Sequence, residues 1–180
     1  MKAFALTALL IALAAPAQAA TPQDAFFARL SALCGKSFTG KVATNDPADT
    51  AFVGKPLVMQ VKSCTADEIR IPFAVGDDTS RTWVVTRTTT GLRLKHDHRH
   101  ADGTEDAVSQ YGGDTTASGT ASRQEFPVDQ FSKDLFVREN RAVSVTNVWA
   151  MEVEPGKVFA YELRRPGRHF RVEFDLPGGS

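Results

Sequence analysis

The chain lacks a charge bias: 21 basic residues stand against 21 acidic ones, and neither sign forms a block long enough to act as an interaction tail. Nucleic acid is therefore not an expected partner. Beyond residue 20 no apolar run approaches the roughly 20 residues that cross a bilayer as a helix, so no transmembrane anchor is expected. Cysteine is scarce, with only Cys34 and Cys64, and their separation is not C-x-x-C, which leaves a reactive thiol pair without support. Also absent are a G-x-S-x-G elbow, a P-loop, a G-x-G-x-x-G turn and an H-E-x-x-H helix. A hydrolase or nucleotide enzyme would have to assemble its site without any local signature.

What is present begins with MKAFALTALLIALAAPAQAA. A single Lys2, an apolar run and the small-residue Ala17-Gln18-Ala19 read as a secretory signal peptide over residues 1–19. The remaining roughly 160 residues, 20–180, suit a single domain with one core. An exported chain is periplasmic or secreted, in an oxidising compartment. Its two cysteines are then expected to pair, Cys34 with Cys64, closing a loop of roughly 30 residues that stabilises the fold by about 3 to 4 kcal/mol on the chain-entropy model.

Thr21-Pro22-Gln23-Asp24 combines an N-cap, a proline at the first helical position and an acid three residues after the cap. Phe26, Phe27, Leu30, Leu33 and Cys34 follow at helical spacing, and Gly35 is a left-handed stop, so a helix is expected over 22–34. From there the period is two. Ile69, Ile71, Phe73 and Val75 alternate with polar or small residues, and Pro72 marks an edge or a bulge. Phe159, Tyr161 and Leu163 alternate up to Pro166-Gly167, and Phe170, Val172, Phe174 and Leu176 alternate after it, a hairpin with a type II turn. Further strands are expected near 38–43, 57–64, 82–88, 92–100, 107–111 and 143–153. Residues 112–122, GGDTTASGTAS, read as a solvated connection, with a lid over one barrel end as the alternative. A short helix is expected near 128–138. Many short, mostly adjacent strands and few helices imply a mostly β fold: an antiparallel up-and-down barrel, with a β-sandwich or jelly roll as the alternative. The N-terminal helix would cap one barrel end.

LKHDHRH, residues 94–100, holds three of the four histidines. His96, His98 and His100 share their strand face with Leu92 and Leu94, whereas Arg93, Lys95, Asp97 and Arg99 share the other, so the imidazoles are expected to point inward. A turn over 88–91 places Trp83 opposite His96 and Arg81 opposite His98. Asp102-Gly103 favours a two-residue type I′ turn, which sets His100 opposite Glu105, His98 opposite Ala107, His96 opposite Ser109 and Leu94 opposite Tyr111. The candidate ligand-binding set is therefore His96, His98, His100, Arg81, Trp83 and Tyr111. The candidate set for a divalent metal is His98, His100 and Glu105. The outer two of the three histidines stand about 13 Å apart along a strand, too far to share one ion, so His98 is common to either pair. A hydrogen-bonded interior network around trapped water is the third reading. His169 reads as a surface turn residue. Asn147 and Trp149 share a face with Val143, Val145, Met151 and Val153 and read as core, becoming ligand contacts if the barrel is hollow.

The run His98-Arg99-His100, four residues, Glu105, six residues and Gly112 resembles the first metal motif of the cupin barrels, although Gly91 stands one position early for it. That resemblance implies a metal-dependent enzyme built on His98, His100 and Glu105. Over nearly the whole remaining chain, FFARLSALCGKSFTGKV, IRIPFAVGDDTSRTWVVTRTTTGLRLKHDHRHADG, YGGD, SVTNVWAMEV and FAYELRR resemble a family of small secreted bacterial proteins, and their strand rhythm is similar to lipocalin-like (calycin) barrels. This implies an exported protein and brings no mechanism. The functional expectation is a monomeric exported barrel that binds a small molecule without catalysis; the alternatives are a cupin-like enzyme and an envelope protein acting through partners.

Overall fold

The computed structural model describes residues 19–177. The expected leader lies outside these residues except for its last position. The first described element is helix α1, Pro22–Ser31, held by the capping box read from the sequence. The Thr21 hydroxyl accepts from the Asp24 amide, and the Asp24 carboxylate accepts from the Thr21 amide. The helix stops three residues earlier than the periodicity implies, and Gly35 turns the chain at φ +80°. Phe26, Phe27 and Leu30 are buried, each contributing about 1.5 to 3 kcal/mol by leaving water.

Eleven antiparallel strands follow: β1 Ser37–Val42, β2 Leu57–Gln60, β3 Ser63–Cys64, β4 Glu68–Val75, β5 Asp78–Thr88, β6 Gly91–His98, β7 Tyr111–Asp114, β8 Arg123–Pro127, β9 Val148–Glu154, β10 Val158–Arg165 and β11 Arg168–Asp175. Helix α2, Gln130–Arg138, lies between β8 and β9, and two 3-10 turns occupy Pro47–Ala51 and Ala142–Ser144. The strands form one sheet in the order β7-β6-β5-β4-β2-β1-β11-β10-β9-β8, with β3 beside β4. Neighbours in sequence are mostly neighbours in space, which makes this an up-and-down, nearly closed barrel.

Two local signals turn out as read. Pro166-Gly167 joins Arg165 to its partner Arg168, with Gly167 at φ +69° as position i+2 of a type II turn demands. Pro72 sits where the neighbouring ladder slips by one residue between the Met59–Phe73 and Ser63–Arg70 pairs, a break where a missing N–H costs little. Cys34 and Cys64 form a disulfide that ties the end of α1 to β3.

The two outer strands of the order, β7 and β8, meet at a seam. The Asp129 amide donates to the Gly112 carbonyl at 3.0 Å. The Ser132 hydroxyl accepts from the Gly112 amide and donates to the Gly112 carbonyl. A Cβ on Gly113 would stand 1.7 Å from the Pro127 carbonyl oxygen, so only glycine allows this approach. The first turn of α2 thus straps the barrel shut, and Lys95 on β6 pairs with its N-cap Asp129 at 2.5 Å.

Three strand expectations are corrected. The strand expected at 107–111 begins at Tyr111, because residues 106–110 leave the ladder. β7 takes the first part of the loop expected at 112–122, and β8, directly after that loop, is a strand the periodicity does not announce. The segment expected to begin a strand at Val143 is a 3-10 turn with Val143 exposed, and β9 starts at Val148. What remains of the low-complexity loop packs on α1, where the Gln23 side chain donates to the Ala117 carbonyl. It therefore lies at the α1 end of the barrel. The opposite end is covered by α2 and the Ala142–Ser144 turn.

Candidate functional site

Beyond the α1 end, the barrel interior is a column of aromatic side chains. Phe73 stacks on Trp83 with centroids 4.6 Å apart, and Trp83 stacks on Tyr161 at 4.4 Å. These rings come from strands whose inward positions alternate as read, so their convergence follows from strand parity and barrel closure.

The β5–β6 register is the expected one: Trp83 faces His96 and Arg81 faces His98. His96 is buried and fully bonded. Its Nδ1 lies 3.0 Å from the Tyr111 carbonyl oxygen and its Nε2 lies 2.7 Å from the Tyr161 hydroxyl. A carbonyl can only accept, so the proton sits on Nδ1 and the Tyr161 hydroxyl donates to Nε2. The ring stacks on Tyr111 at 4.4 Å and lies against Trp149 at 5.2 Å. Burial disfavours the imidazolium and lowers the His96 pKa to about 3. His98, half-buried, pairs through Nε2 with the Tyr111 hydroxyl at 3.1 Å. Its pKa is lowered by burial first and by the Arg81 guanidinium second. Burial also raises the Tyr111 phenol to about 12 and the Tyr161 phenol well above its ordinary value. At neutral pH all four groups are uncharged.

The β6–β7 side corrects the expected hairpin. Asp102-Gly103 does turn the chain, but Glu105 pairs with Arg99 rather than with His100. Residues 106–110 then bulge between two bonded points, the Asp106 amide on the His98 carbonyl and the Gln110 amide on the His96 carbonyl. Gln110 sits at φ 58°. As a result Tyr111 faces His96 instead of Leu94. The shift of one residue moves Glu105 to the outer face, where it takes hydrogen bonds from Gln110 and Arg99. Ser109, expected opposite His96, accepts from the His98 amide.

His100 lies past the end of β6, exposed, with Nε2 4.0 Å from Asp106. It is therefore not part of the interior set. His98, His100 and Glu105 point to three different places, and among the described residues no group of three or more His, Cys, Asp or Glu side chains is arranged to hold a metal ion. The donor set that the cupin resemblance implies does not assemble, and no metal chemistry is derived from it.

The remaining candidates, His96, His98, Arg81, Trp83 and Tyr111, line one cavity of about 220 Å³ at the end opposite α1. Asn147 and Trp149 join them, as expected for a hollow barrel. Five contributors lie outside the sequence-based candidate set: Phe52, Arg141, Ser144 and the hairpin pair Arg165 with Arg168. Arg165 and Arg168 flank the Pro166-Gly167 turn, and their strand parity was the available signal. His169 is exposed, as read, 3.8 Å from Glu162 on the barrel exterior.

No family model, curated protein or solved structure matches this chain. The nearly closed antiparallel barrel is the part of the lipocalin-like resemblance that the fold carries. No described helix is long and apolar enough to cross a membrane.

Proposed function

We propose that this chain is an exported barrel that binds a small organic molecule, without catalysis, in the cavity beside His96, His98 and Tyr111. The observation that carries this reading is the cavity itself: a barrel interior serving stability alone would be filled by side chains to crystal-like density. Here about 220 Å³ stays open between aromatic walls and a few polar groups, the mixture typical of small-molecule sites. His96 has both nitrogens satisfied and a pKa far below neutrality, which suits a fixed wall better than a proton carrier. Disulfide formation and the leader-like N-terminus support export.

The test is a thermal-shift screen of single-ring compounds, followed by titration on the fluorescence of Trp83 and Trp149, the only two tryptophans. Saturable one-to-one binding that Ser144→Trp abolishes is expected, because Ser144 lines the mouth from an irregular turn and an indole there would plug it. Binding unaffected by the plug, or no hit from the screen, refutes the reading.

A further inference from the structure

We infer that the molecule this cavity accepts is a planar-ring carboxylate, held by guanidinium groups at the mouth with its ring on the aromatic floor. The inference rests on the ligand-binding reading above and specifies its ligand class.

Charge distribution carries it. Among the described residues, four guanidinium groups line the cavity, those of Arg81, Arg141, Arg165 and Arg168, and no aspartate or glutamate does. The chain as a whole is balanced in charge, so this segregation is local. Elsewhere every described arginine except Arg29 is partnered: Arg70, Arg87, Arg93, Arg123 and Arg171, for example, each lie within 4.0 Å of a carboxylate. At the mouth, Arg168 is fixed by Asp46 and Asp49, and Arg81 by Asp78 at 2.7 Å, with all three carboxylates outside the cavity lining. Arg141 and Arg165 have no carboxylate partner among the described residues. The Arg165 side chain donates only to the Asn147 Oδ1, at 3.3 Å. It stands directly opposite Arg168 across the hairpin; Asp46 and Asp49 already offset the Arg168 charge, so the Arg165 guanidinium is the one left for a ligand to neutralise.

A carboxylate supplies that neutralisation, and the planar fork of arginine matches its two oxygens. Behind the mouth, Phe73, Trp83, Trp149 and Tyr161 present ring faces and edges. The open volume equals about seven liquid-water volumes at ~30 Å³ each, room for one ring and its substituent. A cationic ligand would meet the two uncompensated guanidinium groups, those of Arg141 and Arg165. A neutral one would leave Arg141 and Arg165 as they are.

Benzoate, benzamide and benzylamine share a ring and differ in charge, so titrating each by calorimetry and tryptophan fluorescence isolates the charge preference. Benzoate should bind one to one and about tenfold or more tighter than benzamide, and benzylamine should be weakest. Arg141→Gln and Arg165→Gln should each weaken benzoate several-fold while leaving benzamide unchanged. On the wild-type protein, added sodium chloride should weaken benzoate and not benzamide, a readout that does not depend on any variant folding. Equal or tighter binding of benzamide or benzylamine, or a benzoate affinity insensitive to both arginines and salt, overturns the charge assignment and leaves the ligand-binding reading standing. Failure of all three compounds at millimolar concentration also overturns the assignment, and failure of the wider screen would overturn the ligand-binding reading as well.

Discussion

Acidification from pH 7 to pH 5 should destabilise this protein by about 2 kcal/mol through His96 alone. The unfolded chain takes up a proton on this histidine below its ordinary pKa of 6.5, whereas the folded chain resists until about 3, because the imidazolium would be buried, which outweighs the hydrogen bond to the Tyr111 carbonyl, and because His98 and Lys95 lie near it. A depressed folded pKa means that the stabilisation is present above 6.5 and is lost as pH falls through the interval down to about 3. Each unit crossed removes about 1.4 kcal/mol, so the 1.5 units between 6.5 and 5 remove about 2. His98 adds in the same direction: Arg81 reinforces its burial, while Asp106, Asp78 and Asp97 oppose it. The carboxylates held low, Glu162 and Asp78 at about 2, lose their contribution only below their ordinary values of 4.5 and 3.8, so a pH 5 limit keeps them out of the window. Urea unfolding at pH 8, 7, 6 and 5, followed by tryptophan fluorescence, measures the loss directly, since Trp83 and Trp149 both lie at this site. His96→Gln should cost about 1 to 3 kcal/mol at pH 8, from lost ring contacts, and should flatten the pH dependence by about 2 kcal/mol. Parallel pH curves for wild type and His96→Gln would refute the neutral, buried imidazole.

Two further outcomes concern the scaffold. Gly113→Ala should open the β7–β8 seam, because the added Cβ would lie 1.7 Å from the Pro127 carbonyl; a loss of several kcal/mol in urea unfolding is expected, and wild-type stability would refute this account of closure. Thiol titration of the unfolded, unreduced protein should find no free thiol, and reduction should lower stability by about 3 to 4 kcal/mol; two reactive thiols per chain would contradict the bridge.

Much of the architecture can be read from local pattern. The capping box of α1, the two-residue period of β4, β10 and β11, the Pro166-Gly167 turn and the β5–β6 register are each specified by residues close in sequence, where turn chemistry and strand parity leave few options. The inward placement of His96 follows from the same parity. Three things needed the tertiary structure. The register of β7 depends on a bulge at 106–110 that the Asp-Gly turn does not announce: Glu105 pairs one residue off the expected register, which sends it to the outside, and Tyr111 pairs two residues off, which keeps it inward but opposite His96. β8 lacks a clear alternation and exists as a strand because β9 offers it a partner. The arginines at the mouth come from the β10–β11 hairpin, the start of β5 and the turn after α2, segments far apart in sequence. Only closure of the barrel brings them to one rim, because side-chain direction is a local property and proximity across a closed sheet is not.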